Sequence, residues 1–322
     1  MTEITIQKND AGQRADRFLS KAYPNLKSSL VCKLMRKKRI KLNGAKAEPN
    51  TILKEGDVLR FYLSEELLAK EPVKHESDFR TISPELNLIY EDKNILLIDK
   101  PAGLVVHEDN DNTADTLINR VLSYLYQKNE FDPDRENSFT PALVNRIDRN
   151  TSGIVIAAKN AEALRILNQK IRDREIQKMY LCAVRGIPEP QTATITAYLK
   201  KLPDENRVLV SDTPKPDYLT IKTKYRVIES KGELSLVEVD LLTGRTHQIR
   251  AHFAHIGHAL LGDGKYGDNA FNKRYGAKTQ ALCSYKLTFK FTSDAGVLEY
   301  LNGKSFSVKS TDELWFVRLF RG

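Results

Sequence analysis

The sequence predicts an α+β fold in which a small N-terminal domain precedes a larger domain built on a large mixed or antiparallel sheet. Three observations lead to this prediction. A chain of 322 residues is long for one hydrophobic core, so two domains are expected. Strand-like apolar segments recur after residue 85, with only two helical patterns among them. These segments do not alternate as strand–helix units, and no glycine-rich phosphate-binding loop accompanies them, which disfavours the folds that bind nucleotide cofactors.

Residues 1–70 form the predicted small domain. Apolar residues at helical spacing predict helices over 14–23 and 28–38, and short strands are expected at 40–42 and 58–62. The domain holds fifteen Lys and Arg against eight Asp and Glu, a net charge of +7 out of +9 for the whole chain. The basic residues of the second helix and the strand after it are Lys33, Arg36, Lys37, Lys38, Arg39 and Lys41. Such clustering predicts a nucleic-acid partner whose phosphates the cations bind, with an ordinary solvated basic face as the alternative.

Residues 71–84 are polar and are predicted to be a linker, and residues 85–322 form the predicted larger domain. Its strands are expected at 95–98, 154–158, 179–184, 192–199, 207–210, 219–228, 234–241 and 281–291. Its helices are expected at 114–127 and 161–173.

Composition excludes several classes of protein. The three cysteines, Cys32, Cys182 and Cys283, lie far apart without CxxC spacing, so neither a disulfide framework nor a cysteine zinc site is expected. No apolar stretch approaches the ~20 residues that span a bilayer. The polar, acidic start does not resemble a signal peptide. We therefore expect a cytoplasmic protein with no membrane partner, and a monomer by default, since nothing in the sequence indicates a protein partner.

The stretch LVNRIDRNTSGIVIAA places Asp148 between Arg146 and Arg149, just before an apolar strand. Partial burial raises the pKa of a carboxyl group unless cations hold its charge, and the neighbouring arginines are expected to keep Asp148 ionised. An ionised, poorly solvated carboxylate is a nucleophile suited to an electrophilic carbon. A structural ion pair within a loop is the alternative, and this stretch alone does not decide between the two.

Three more segments carry residue types typical of binding sites. The first, 91–107, is a strand that ends in the turn Pro101–Gly103. In the second, 174–186, Tyr180 is either a core residue or an aromatic platform for a base. The third, 241–267, is predicted to form a polar site lined by Arg245, His247, Gln248 and Arg250. A zinc site is its alternative, although the spacing of the four histidines is not typical of one; they are His247, His252, His255 and His258.

Together, these segments resemble the RluA-type family of RNA pseudouridine synthases, and within it the RluC- and RluD-like members that modify large-subunit ribosomal RNA. DKPAGLVVH matches the family's first motif, VNRIDRNTSGI its signature around the catalytic aspartate, and LLTGRTHQIRAHFAHIGHALLGDGKYG its third motif. The resemblance covers about 86–291. SSLVCKLMRKKRIKLNG, followed by ILKEGDVLRF, is similar to the S-four-type RNA-binding domain, a small domain of the αL type. One departure is Asn145, which stands where the family usually has His.

The resemblance implies a role for each matched residue. Asp148 would be the nucleophile, and Arg250 would pair with it and keep it charged. Arg146 would enter the RNA helix where the target uridine leaves, Tyr180 would stack on the flipped base, and Ile249 would supply an apolar wall. No cofactor and no metal is implied, because the reaction breaks the N-glycosidic bond, turns the base and joins C5 to C1′ without adding a group. Whether the aspartate attacks C1′ or C6, or assists elimination through a glycal, stays open, as does the identity of the base.

Two other functions compete with this hypothesis. A non-catalytic RNA-binding or ribosome-assembly protein would explain the basic N-terminal domain but leaves Asp148, Tyr180 and Arg250 without a purpose. A hydrolytic nucleosidase would share the glycosidic-bond chemistry, but it usually needs a second acid opposite the first. The matched segments contain arginines instead.

Overall fold

The computed structural model describes residues 2–69, 78–108, 113–202 and 205–321. Over these residues the chain forms a four-stranded sheet and an eleven-stranded mixed sheet, together with seven α-helices. The predicted α+β fold is therefore confirmed. None of the helices in the described residues is long and apolar enough to cross a membrane.

The first sheet belongs to residues 2–69, which we call the front unit. Its elements are β1 (Thr2–Thr5), α1 (Ala15–Ala22), α2 (Ser28–Arg36), β2 (Ile40–Leu42), β3 (Ala45–Lys46) and β4 (Val58–Phe61). The strands are antiparallel in the order β1-β4-β2-β3, and both helices contribute to one buried cluster that includes Phe18, Met35 and Phe61. The second helix ends at Arg36 rather than at residue 38, as Lys38 has a φ of 56°. The sequence did not predict β1, because most of this edge strand is exposed and carries little apolar patterning.

The second sheet belongs to residues 78–321, which we call the large unit. Its elements are β5 (Leu88–Glu91), β6 (Ile95–Lys100), α3 (Leu117–Gln127), β7 (Ala142–Leu143), β8 (Ser152–Ala158), α4 (Ala161–Arg172), β9 (Ile176–Arg185), β10 (Thr192–Leu202), β11 (Arg207–Ser211), β12 (Leu219–Lys231), β13 (Leu234–Leu241), α5 (Gln248–His255), α6 (Asn269–Arg274), β14 (Leu282–Phe289), β15 (Ser305–Ser307) and α7 (Arg318–Arg321). The strand order is β11-β10-β12-β13-β9-β14-β8-β6-β5, with β7 paired to β8 and β15 to β14. Every predicted strand is present, with boundaries that differ by a few residues. The helix expected from residue 114 begins at Leu117, because the Thr116 side chain accepts a hydrogen bond from the Asn119 amide as its N-cap.

Both faces of the large sheet are covered in its central part. Along β6, Leu97 packs in the cluster that contains Leu167 of α4, whereas Leu96 packs in the cluster that contains Val121 of α3 and Phe253 of α5. This two-sided burial explains why the central strands read as continuous apolar runs rather than as alternating patterns.

One close approach between two strands fixes the position of the site. Strands β8 and β14 pair in parallel at Ser152 with Cys283 and at Gly153 with Ser284. Gly153 has a φ of 108°, and a Cβ built there would lie 2.2 Å from the carbonyl oxygen of Ser284. Only glycine allows this approach. Because β14 also pairs with β9, the parallel contact brings the loop before β8 close to Tyr180 of β9.

The front unit is hydrogen-bonded to the large unit through the Asp10 clasp, which consists of Asn9, Asp10 and the segment 136–138. Asp10 is fully buried; its Oδ1 accepts from the Ser138 hydroxyl at 2.7 Å and its Oδ2 from the Asn137 amide at 2.8 Å. The Asn9 side chain donates to Glu136 at 2.8 Å. Of the predicted linker, residues 71–77 lie outside the described residues, and the ring of Phe79 is buried against Phe131.

Candidate active site

Asp148 lies in the loop between β7 and β8, and the buried ammonium group of Lys100 is hydrogen-bonded to this loop. Lys100 is fully buried, and its Nζ donates to the carbonyls of Pro101, Leu104 and Arg149 at 2.9, 2.8 and 2.8 Å. Burial lowers the pKa of Lys100 to about 8, so the group is still an ammonium at neutral pH, with three protons for three acceptors. The first motif therefore anchors the backbone directly beside Asp148.

Asn145, the departure from the family pattern, attaches the same loop to β8. Its Oδ1 accepts from the Ile156 amide at 2.8 Å, and its Nδ2 donates to the Ile154 carbonyl at 3.3 Å. The Asn145 side chain thus bonds to the β8 backbone as a paired strand would, and it holds the segment that leads to Asp148.

Arg250 joins Asp148 to a second carboxylate, Asp263. From the first turn of α5, its Nη1 donates to Oδ2 of Asp148 at 2.7 Å, while Nε and Nη2 donate to the two oxygens of Asp263 at 2.7 and 2.9 Å. Arg250 is 7% exposed and Asp263 is fully buried. Burial alone would lower the pKa of Arg250, but the two carboxylates outweigh burial and raise it, so the guanidinium stays charged.

The two carboxylates are held unequally. Asp263 takes a bidentate pair from Arg250, and its Oδ1 also accepts from the backbone amides of Lys265 and Tyr266 at 2.9 and 3.1 Å. Asp148 takes a single bond from Arg250, its side chain is 27% exposed, and its Oδ1 has no hydrogen-bond partner among the described residues. The site therefore contains one saturated carboxylate that fixes the guanidinium and one carboxylate with a free oxygen.

The cluster differs from what the local sequence indicated in the cation that contacts Asp148 and in the presence of Asp263. The flanking arginines were expected from the local sequence to keep Asp148 ionised, and the resemblance implied a pair with Arg250; the cation hydrogen-bonded to Asp148 is Arg250, and Arg146 is exposed. Sequence reasoning gave Asp263 no role, although it lies in the third motif. The sequence does contain this acidic residue in the glycine-rich run GDGKYG, but its partner, Arg250, is apparent only from the structure. Burial raises the pKa of Asp263, but the bonds from Arg250 outweigh burial and lower it below its ordinary value.

Tyr180 and Ile249 line the same cleft as Asp148. Tyr180 is 5% exposed on β9, and burial raises the pKa of its hydroxyl to about 12, with the negative charge of Asp148 acting in the same direction. The ring is therefore a neutral phenol at neutral pH. Lys178, two residues earlier on β9, also lines the cleft, and burial lowers its pKa.

The four histidines of the third motif turn to separate partners. The Nδ1 of His247 lies 2.9 Å from the Tyr266 hydroxyl and its Nε2 3.9 Å from Oδ2 of Asp148. Burial lowers the pKa of His247 to about 4, so the ring is neutral at pH 7. The other three rings contact the Thr223 hydroxyl (His252), Asp212 (His255) and the Arg185 carbonyl (His258). In the part of the chain that the structure describes, no three His, Cys, Asp or Glu side chains group as metal ligands would.

The cleft above Asp148 has a volume of about 840 Å³. Its lining includes Arg146, Asp148, Tyr180, Arg245, His247, Ile249 and Arg250. The structure therefore brings together the predicted catalytic residues and two of the predicted substrate-binding residues. It does not bring the basic residues of the front unit into this cleft, since Lys33, Arg36, Lys37, Lys38 and Arg39 are exposed on the front unit and Lys41 is half-buried there.

The fold and this cleft agree with an RNA-modifying isomerase, and comparison with known proteins identifies its family. The model of the RNA pseudouridylate synthase family matches residues 94–255. The chain belongs to this family and is an RNA pseudouridine synthase, an isomerase of uridine in RNA, so the RluA-type resemblance is confirmed.

Among relatives, the ribosomal large subunit pseudouridine synthase C of Vibrio cholerae is 32% identical over 84% of this chain and 81% of its own length. An uncharacterized RNA pseudouridine synthase of Mycoplasma genitalium is 32% identical over 99% of this chain and 98% of its own. The human RNA pseudouridylate synthase domain containing 4 protein covers 69% of this chain and 88% of its own, with a TM-score of 0.54 and 20% identity, and shows the shared fold alone.

Proposed function

We propose that this enzyme isomerises specific uridines in large-subunit ribosomal RNA, with Asp148 as the nucleophile and with the target base flipped out of the RNA. The ribosomal substrate is supported by the relatives from Vibrio cholerae and Haemophilus ducreyi, both ribosomal large subunit pseudouridine synthases C. The observation that carries the mechanism is the single bond from Arg250 to one oxygen of Asp148; the other oxygen has no hydrogen-bond partner among the described residues at the cleft.

Flipping is required because a stacked uridine cannot reach the floor of the cleft. Unstacking costs a few kcal/mol, and two side chains are suited to offset that cost. The Tyr180 ring gives the extruded base an aromatic face, and the exposed Arg146 fills the space that the base leaves in the RNA. Ile249 closes the apolar side of the cleft.

The isomerisation breaks the bond between N1 and C1′, forms a bond between C5 and C1′, removes the proton from C5 and leaves a proton on N1. Asp148 acts as a carboxylate whether it attacks C1′ or C6 or assists elimination through a glycal. The acceptor of the C5 proton is more readily Asp148 than a Tyr180 phenolate. With a pKa of about 12 for Tyr180, the phenolate fraction at pH 7 is on the order of 10⁻⁵.

The test replaces Asp148 by Asn, which keeps the shape of the side chain and removes the nucleophile. We expect Asp148→Asn to abolish tritium release from RNA that carries 5-tritiated uridine while RNA binding persists. The matched control is Glu238→Gln, which alters a carboxylate of similar exposure (21%) that pairs with Arg226 away from the cleft. Substantial release by Asp148→Asn would refute the assignment, and free uracil among the wild-type products would favour a hydrolase.

We also propose that the front unit is an S-four-type RNA-binding domain. Lys33, Arg36 and Lys37 are exposed at the end of α2, and no carboxylate among the described residues lies within 4.0 Å of their charged groups. Changing these three residues to Gln should flatten the dependence of RNA affinity on salt by about 0.7–0.9 log–log units for each phosphate that the variant no longer binds. The control changes the exposed lysines Lys93, Lys304 and Lys309. Equal slopes for the two triple variants would refute this role.

A further inference from the structure

The active-site cleft continues past Asp148 into a second groove. This groove has a volume of about 780 Å³ and shares Asn150, Arg250, Lys265 and Gln280 with the cleft. Recognition sites for small ligands span about 300–1,000 Å³, so the groove has room for a nucleotide beyond the one that the cleft holds.

The groove is lined by cations with little neutralisation. Among the described lining residues, the side chains of Arg207, Lys265, Lys273 and Lys278 face a single carboxylate, that of Glu205, while the charge of Arg250 is balanced by Asp148 and Asp263. Arg207 donates to the Lys265 carbonyl and lies over the Tyr266 ring, and Lys265 donates to the Asn206 carbonyl at 2.7 Å. These two cations are therefore oriented by a carbonyl, an aromatic ring and a second carbonyl rather than by carboxylates.

Lys273 and Lys278 are two groove cations that are exposed and that have no carboxylate within 4.0 Å among the described residues. Unpaired, exposed ammonium groups that face a groove rather than open surface form a phosphate site at low cost, since no ion pair must break.

The position of the groove relative to Asp148 is fixed by hydrogen bonds from α6. Asn272 of α6 is buried; its Oδ1 accepts from the Gly262 amide at 2.8 Å and its Nδ2 donates to the Asp263 carbonyl at 3.3 Å. The segment that carries Lys273 is therefore fastened to the same loop whose Asp263 fixes Arg250.

We propose that this groove binds the RNA strand next to the flipped uridine, with Lys273 and Lys278 each contacting one of two successive phosphodiesters of that strand. The inference rests on the proposed function for the identity of the strand. It assigns to Lys273 and Lys278 a role in holding RNA that is separate from the chemistry at Asp148.

The test uses the double variant Lys273→Gln/Lys278→Gln in the full chain, with Lys93→Gln/Lys304→Gln as the control of equal charge change. Two phosphate contacts to a single strand contribute about 1.4 log–log units of salt dependence, equivalent to roughly ten-fold weaker binding near 0.15 M salt. We expect this weakening when binding is measured in the Asp148→Asn background, where turnover does not interfere. In the active enzyme, KM should rise by a similar factor with kcat unchanged.

The outcomes separate the two proposals. An active wild type whose Lys273→Gln/Lys278→Gln variant matches the control in salt slope and KM overturns the groove and leaves the proposed function intact. A wild type that releases no tritium from ribosomal RNA overturns the proposed function, while the binding slopes still decide the groove. A fall in kcat with KM unchanged would also overturn the groove, because it would mean that these lysines act on the chemistry rather than on the strand.

Discussion

Replacing Asp263 by Asn tests whether the buried carboxylate is what fixes Arg250. In the native site, both oxygens of Asp263 accept bonds from the guanidinium, and one of them also accepts two backbone amides. An Asn amide that keeps the oxygen toward those amides turns its NH₂ toward the Nε–H of Arg250, so two donors face each other. Removing one partner of a buried ion pair typically costs about 3–5 kcal/mol. Asp148 shares the cation, so we expect the lower part of this range.

The assay is thermal unfolding followed by the fluorescence of Trp315, the single tryptophan of the chain. A loss of about 3 kcal/mol corresponds to a melting temperature lower by roughly 6–12 °C in a unit of this size. The pKa of Asp263 is lowered by folding, so its stabilisation is present above the unfolded pKa and is lost as the pH falls through the folded value. The difference between wild type and variant should therefore shrink below about pH 4. The control is Asp134→Asn, whose exposed pair with Arg80 contributes about 0–1 kcal/mol. Equal losses for the two variants would refute the reasoning.

Three further predictions follow from the fold and the site. Gly153→Ala places a Cβ 2.2 Å from the Ser284 carbonyl oxygen and should lower the urea midpoint strongly, whereas an unchanged midpoint would mean that the two strands separate freely. Asp10→Ala removes the buried acceptor between the units and should speed limited proteolysis between them, unlike Asp16→Ala, which removes a carboxylate bonded to Arg14 and the Arg17 amide within the front unit. Because burial lowers the pKa of His247 to about 4, kcat/KM should show no inflection near pH 6.5; one that disappears in His247→Gln would contradict this.

The sequence predicted the strands of the large unit well because their signal is local. Runs such as Ile95–Ile98 are apolar on both faces, and burial of both faces is what the structure contains. The edge strand β1 gave no such signal, since mostly exposed edges carry little apolar patterning. The parallel pairing of β8 with β14 joins residues more than a hundred positions apart, and no local pattern encodes it.

The residues of the site could be predicted from the family motifs, but the contacts that depend on tertiary structure could not. The pairing of Arg250 with Asp148 was expected from the resemblance and is present, while the catalytic roles of both residues stay predictions. The unequal division of Arg250 between Asp148 and Asp263 could not be read from the sequence, because it depends on which guanidinium nitrogen faces which oxygen. The structural use of Asn145 depends in the same way on the strand beside it.

The Asp10 clasp sets a distance. A carboxylate with no exposed surface, bonded across the junction by Ser138 and Asn137, fastens the front unit to the large unit at this point. The distance between α2 and the cleft is then a property of the fold. If the front unit binds RNA as proposed, the enzyme sets the distance between the phosphates held at α2 and the uridine in the cleft, and RNA shape then contributes to the choice of target.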